Sequence, residues 1–174
     1  MTNEVIQAIY ERRSCRNYRP EQISDEELQT VLEAGTFAPT GKNLQDPVIV
    51  AIQNPALRNK ICQLNAQIMG SNGDPFYHAP TLILVFGHPS WKNYIQDGSP
   101  VLGTMMLAAH SIGLGSCWIN REIEMFQTEE GRALMKEMGL PDDLGGIGAL
   151  SLGYWNIPRP AAKPRKKDYY RILK

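Results

Sequence analysis

The stretch VLGTMMLAAHSIGLGSCWIN, from Val101 to Asn120, reads as a strongly apolar helix that runs into a short buried element. Val101, Leu102, Met105, Met106, Leu107, Ala108 and Ala109 crowd the helix. Gly113 and Gly115 end it just past Ile112, because glycine takes the backbone angles that close a helix. Ser116 to Ile119 then starts the next element. Working outward, Leu82 to Phe86 and Ile147 to Tyr154 are apolar runs of strand length, and Val48 to Ile52 is a third. Helices are expected over Asn3 to Arg13, from Ser24 to about Gly35, from Asn54-Pro55 to about Met69, and from Glu129 to Met138. Ser24-Asp25-Glu26-Glu27 is a capping-box pattern, and Thr2 or Asn3 can cap the first helix. Asp97 is placed to cap the apolar helix. Helices and strands are mixed without strict alternation, which favours α+β over a doubly wound fold.

The chain has 174 residues, enough for one ordinary domain with a real core. With neither repeats nor low-complexity linkers, it reads as a single domain over 1–174, ending in a basic arm over 156–174. Formal net charge is zero, so no global charge argues for nucleic acid or an anionic membrane. The cations are unevenly placed, however. Arg12, Arg13, Arg16 and Arg19 crowd near the start, and Lys163, Arg165, Lys166, Lys167, Arg171 and Lys174 near the end. Cys15, Cys62 and Cys117 are odd in number and lack metal-ligand spacing, so neither a disulfide framework nor a zinc site is expected. The polar start is no signal peptide, and no apolar run approaches the ~20 residues of a membrane span. A soluble protein of the reducing cytoplasm is expected.

Four constellations can carry chemistry. Arg12-Arg13-Ser14-x-Arg16 offers guanidinium groups that bind phosphate in a bidentate way, with a hydroxyl between them. The competing reading is a set of cations complementing a helix C-terminus. Pro39-Thr40-Gly41-x-Asn43-x-Gln45 is a fixed loop with neutral donors and acceptors, suited to the carbonyl and imide edges of a flat heterocycle, or else an ordinary turn. Gly113 to Asn120 gives close backbone approach, a flat wall in Trp118, and then Ile119 and Asn120. Cys117 reads as a small core residue, since nothing lowers its pKa. Lys163-Pro164-Arg165 is a second anion site or a solvated terminus. The chain has no G-x-G-x-x-G after a strand, no P-loop and no H-E-x-x-H. His110 reads as a core histidine.

Taken together and in this order, the four segments resemble the FMN-binding nitroreductase family over nearly the whole chain. The resemblance implies a central, mostly antiparallel sheet flanked by helices in an intertwined homodimer. It implies FMN as cofactor and no metal. Arg12, Arg13, Lys163 and Arg165 would hold the FMN phosphate. Ser14 would contact the ribityl chain or ring edge, and Arg16 the pyrimidine edge. Pro39, Thr40, Gly41, Asn43 and Gln45 would come from the second subunit. Trp118, Ile119 and Asn120 would line the ring beside its reactive edge. Two features depart from the family: Thr40 stands where short members often carry serine, and Gly103-Thr104 where a Gln-Asn pair often precedes the apolar run.

The implied activity is electron transfer from NADH or NADPH through the flavin to an electrophilic acceptor such as a nitroaromatic or a quinone. One site used twice implies ping-pong kinetics. The cofactor carries the chemistry, so no side chain is required as nucleophile or general base. A flavin carrier or redox sensor without NAD(P)H turnover is the alternative. A non-flavin anion-binding or interaction domain is a second one.

Overall fold

Most helices begin where the sequence supplies a cap. Asn3 accepts the Ile6 amide at 2.9 Å and opens α1 (Glu4–Glu11). Ser24 and Glu27 complete the expected capping box ahead of α2 (Asp25–Thr36). Asn54 accepts from Leu57, and Pro55 takes the first position of α3 (Pro55–Met69), which Gly70 closes at φ 69°. Such an end suits glycine, which has no Cβ to clash in the left-handed region. Thr128 caps α6 (Glu129–Glu137). All residues 1–174 are described by this computed structural model.

Four strands form one antiparallel sheet: β1 (Val48–Ile52), β2 (Thr81–Gly87), β3 (Gly115–Ile119) and β4 (Gly145–Gly153), in the order β1-β2-β4-β3. The uninterrupted apolar run of β2 is buried on both faces, and its side chains divide with period two. Leu82, Leu84 and Phe86 join Ile61, Phe126 and Met135 in a core beneath α3, α5 (Glu122–Met125) and α6. Ile83 and Val85 join Val31, Leu102, Met105 and Leu150 in a second core beneath α2 and α4 (Tyr94–Ser111). Each such fully buried side chain contributes roughly 1.5–3 kcal/mol of transfer free energy. The α+β expectation holds, with helices on both sides of the sheet.

One boundary and one element differ from the sequence reading. The apolar helix begins at Tyr94 rather than Val101, with Pro100 inside it, so Asp97 lies within the first turn and does not cap it. The short helix α5 was not foreseen, since four residues are too few for a periodic signal. α1 does carry its expected apolar stripe, but none of its residues is buried, and Val5, Ile9 and Tyr10 stay exposed. The arm over 156–174 forms neither helix nor strand, and it exposes Ile157, Tyr169, Tyr170, Ile172 and Leu173.

Candidate functional site

Beyond α1 the chain turns and runs beside β3. Ser14 forms a parallel bridge with Ser116, and the Cys15 amide donates to the Ser116 carbonyl at 2.9 Å. This short parallel contact fixes the arginine segment against the sheet. It brings Arg12, Ser14 and Arg16 around the buried Cys117 thiol. Burial pushes that thiol up, against the opposing effect of Arg16, Ser14 and Arg12, so it stays protonated and inert.

The three arginines differ in setting. Arg12 is half-buried against Met106 of α4, and burial lowers its pKa. Arg13 folds back, its Nη1 donating to the carbonyls of Tyr10 and Arg12 at 2.6 Å, while its Nε is buried with no partner. Arg16 is exposed and stands 5.8 Å over the Tyr77 ring, and a hydrogen bond with the Tyr77 side chain raises its pKa. None of the three has a carboxylate partner among the ion pairs of the protein. A half-buried cation without a counter-ion, next to an orphaned guanidinium N–H, fits the phosphate of a bound anion.

The segment after Trp118 is held from behind. The fully buried Asn65 of α3 donates to the Asn120 carbonyl at 2.9 Å and to Glu122 Oε1 at 3.2 Å. Its own carbonyl accepts Arg121 Nε at 2.9 Å. Arg121 is thereby kept at φ 88°, a strained value for a side-chain-bearing residue. Glu122 is fully buried, and burial pushes its carboxyl up to about 8, so it is protonated at neutral pH with Oε2 unpartnered. Neither Asn65 nor Glu122 was singled out in the sequence. Each looks like an ordinary helix residue until the fold joins them. Trp118 is half-buried and packs in the α4-side core, while Ile119 is buried in the other. Trp118 thus keeps part of its indole at the surface, while Ile119 turns into the core.

The loop after α2 is built differently. Thr40 Oγ1 accepts the Gln45 amide at 3.0 Å, and Gln45 Nε2 donates to Asn43 Oδ1 at 3.3 Å. Lys42, Asn43 and Gln45 all have φ between 52° and 55°. Such left-handed backbone costs about 1–2 kcal/mol per residue away from glycine, less at asparagine. Asp97 of α4, only 6% exposed, ties the loop down: Oδ1 accepts the Gly41 amide at 2.9 Å and Oδ2 accepts Trp91 Nε1 at 2.8 Å. Lys42 Nζ in turn lies 5.6 Å from the Trp91 ring. Pro39 is exposed beside it.

Lys163 and Arg165 are exposed on the arm. Together with Ile9 and Tyr10 of α1 they line a cavity of about 570 Å³. The second basic cluster thus comes to the last turn of α1, the turn whose Tyr10 carbonyl holds Arg13. His110 is buried, and burial lowers its pKa, with Arg159 adding to the effect.

These elements agree with what the chain is similar to. The sequence model of the nitroreductase family matches residues 9–80 and 63–154. A Bacteroides fragilis nitroreductase with bound FMN shares the fold at a TM-score of 0.92 and 29% identity, over 99% of this chain and 100% of its own. A Desulfitobacterium hafniense nitroreductase with bound FMN gives a TM-score of 0.89 at 28% identity over 100% of both chains. A Bacillus subtilis protein named FMN reductase (NAD(P)H) is 26% identical over 94% of this chain and 70% of its own length. By sequence and by fold, the chain belongs to the nitroreductase family.

Proposed function

We propose that the protein is an NAD(P)H-dependent FMN oxidoreductase acting as a homodimer with shared flavin sites. The observation that carries the reading is the set of arginines around Ser14 and Cys117, cationic and without counter-ions beside β3. The electron transfer between NAD(P)H and the acceptor would be supplied by bound FMN. Arg12 and Arg13, joined by Lys163 and Arg165, hold the phosphate. Ser14 meets the ribityl chain or ring edge. Arg16, kept cationic, stands at the pyrimidine edge, where it stabilises negative charge. The backbone of Trp118, Ile119 and Asn120 borders the reactive edge, with Asn65 holding the Asn120 carbonyl in place. Pro39, Thr40, Gly41, Asn43 and Gln45 approach from the second subunit.

The geometry of one protomer favours that sharing. The loop is tied to α4 at Asp97, whereas Arg12 rests on Met106, nine residues further on. At the helical rise these points lie about 13 Å apart along the axis. A second copy would also cover the bare apolar face of α1 and the hydrophobic arm. The acceptor class is an electrophile such as a nitroaromatic or a quinone, used in ping-pong order. No helix is long and apolar enough to cross a membrane. Three free cysteines suit the reducing cytoplasm, where we place the protein as a single-domain enzyme.

The test is the visible spectrum of the purified protein, followed by NADH or NADPH without oxygen. Yellow protein whose flavin bands bleach is expected. Yellow without bleaching would make it a carrier or sensor, and colourless protein that ignores added FMN would defeat the flavin reading. Sedimentation at micromolar concentration is expected to give a dimer, and a flavin-loaded monomer would overturn the shared site.

A further inference from the structure

We propose that Asp97 is the positioning residue of the flavin site, setting the loop over residues 40–45 into its binding shape before any flavin arrives. The inference rests on the flavin reading above, because it is that reading which gives the loop a ligand. Asp97 spends both carboxylate oxygens on this task. One accepts the Gly41 amide and the other the Trp91 indole, from a position in the first turn of α4 that is 6% exposed. Gly41 lets the loop pass close to Trp91: a Cβ there would lie 2.9 Å from Trp91 Cζ2, so the indole would have to shift. Next to Asp97, Gly98 lets α4 settle on the sheet, since a Cβ there would collide with Ile147 Cδ1. The carboxylate is thus mounted on a rigid base. Beyond Gly41 stand three left-handed, non-glycine residues, Lys42, Asn43 and Gln45, which need an outside restraint to hold that shape. Asp97 supplies the restraint at the loop's start, and the Thr40 hydroxyl at its end. A loop fixed in advance loses less entropy when a ligand binds, so the cost of releasing it falls on flavin affinity.

Asp97→Asn tests this, because an amide can serve only one of the two donors. Its oxygen can still accept from Gly41, but its NH2 then faces the Trp91 N–H. Trp91→Phe removes that donor, so the double variant Asp97→Asn/Trp91→Phe relieves the conflict. Two quantities are read: FMN dissociation constant by fluorescence titration of the apoprotein, and hydrogen exchange of the Gly41 amide without flavin. For Asp97→Asn, both are expected to worsen about tenfold, as loss of a charge-assisted hydrogen bond implies. Trp91→Phe alone should worsen both about threefold, and the double variant should return to that level. Turnover at saturating FMN should change far less than affinity. Wild-type values in Asp97→Asn, or a double variant no better than Asp97→Asn, would overturn the proposal. If Asp97→Asn does not fold, Trp91→Phe decides: wild-type exchange at Gly41 would overturn it. A wild-type protein that takes no FMN would instead defeat the flavin reading, while the exchange data would still judge the restraint.

Discussion

The β3 end and the loop end of the molecule treat their polar groups in opposite ways. Every buried side-chain polar atom left without a partner lies beside β3: Arg13 Nε, Glu122 Oε2, Ser151 Oγ and Trp155 Nε1. Ser151 sits opposite Cys117, and Trp155 closes on Gly115. At the loop end, Asp97, Trp91, Thr40, Asn43 and Gln45 are all hydrogen-bonded to one another or to the backbone. The first region carries unpartnered buried polar groups, and the second has spent its polar groups on shape. A site needs both, since free donors select a ligand and a preset backbone lowers the entropy of holding it.

Removing a cation that lacks a counter-ion should therefore hurt binding more than removing a shape-holding group. Arg12→Ala is expected to give the largest effect on binding, weakening FMN about 10- to 100-fold, in line with roughly 1.5–3 kcal/mol for a charged hydrogen bond. Equilibrium titration of the apoprotein measures it, and unchanged affinity would mean that the arginine cluster is not the anion site. Glu122 gives the next effect, on stability. Its folded pKa of about 8 lies above the ordinary carboxylate value, so the native state holds a proton that the unfolded chain gives up. Its contribution is complete below about pH 4.5 and drains away as the pH rises towards 8, by at most about 1.4 kcal/mol per pH unit. Urea melts of Glu122→Gln should lack this decline, and parallel pH profiles for variant and wild type would refute the burial argument. Thr40→Ala is the smallest change. Loss of the Gln45 amide bond should cost about 0.5–1.5 kcal/mol in the same melts, with a smaller change in FMN affinity than Arg12→Ala.

The contrast also explains what the sequence could and could not disclose. Caps and apolar runs are local, so Ser24-Glu27, Asn54-Pro55 and the β2 run located their elements to within a residue or two. Arg12 to Arg16 stood out because like charges were adjacent in the chain. The bonds from Asp97 to Gly41 and from Asn65 to Glu122 span 56 and 57 residues, and no local pattern announces them. Asp97 was read as a helix cap because the apolar run that marks the helix begins only at Val101, whereas the helix itself begins at Tyr94. Which side of β3 Trp118 takes depends on its register with Leu150, which no local pattern fixes.

The sheet order leaves β1 with a bare edge. Its five residues, Val-Ile-Val-Ala-Ile, carry no charge to discourage another strand. Asp46 and Pro47 flank it on one side, and Pro55 stands two residues beyond Gln53 on the other, a charge and prolines that discourage a pairing from spreading. For a newly made chain this sets a race. Until that edge is covered it is a template for aggregation, so crowded expression should show first as insoluble protein, before any loss of activity in the soluble fraction.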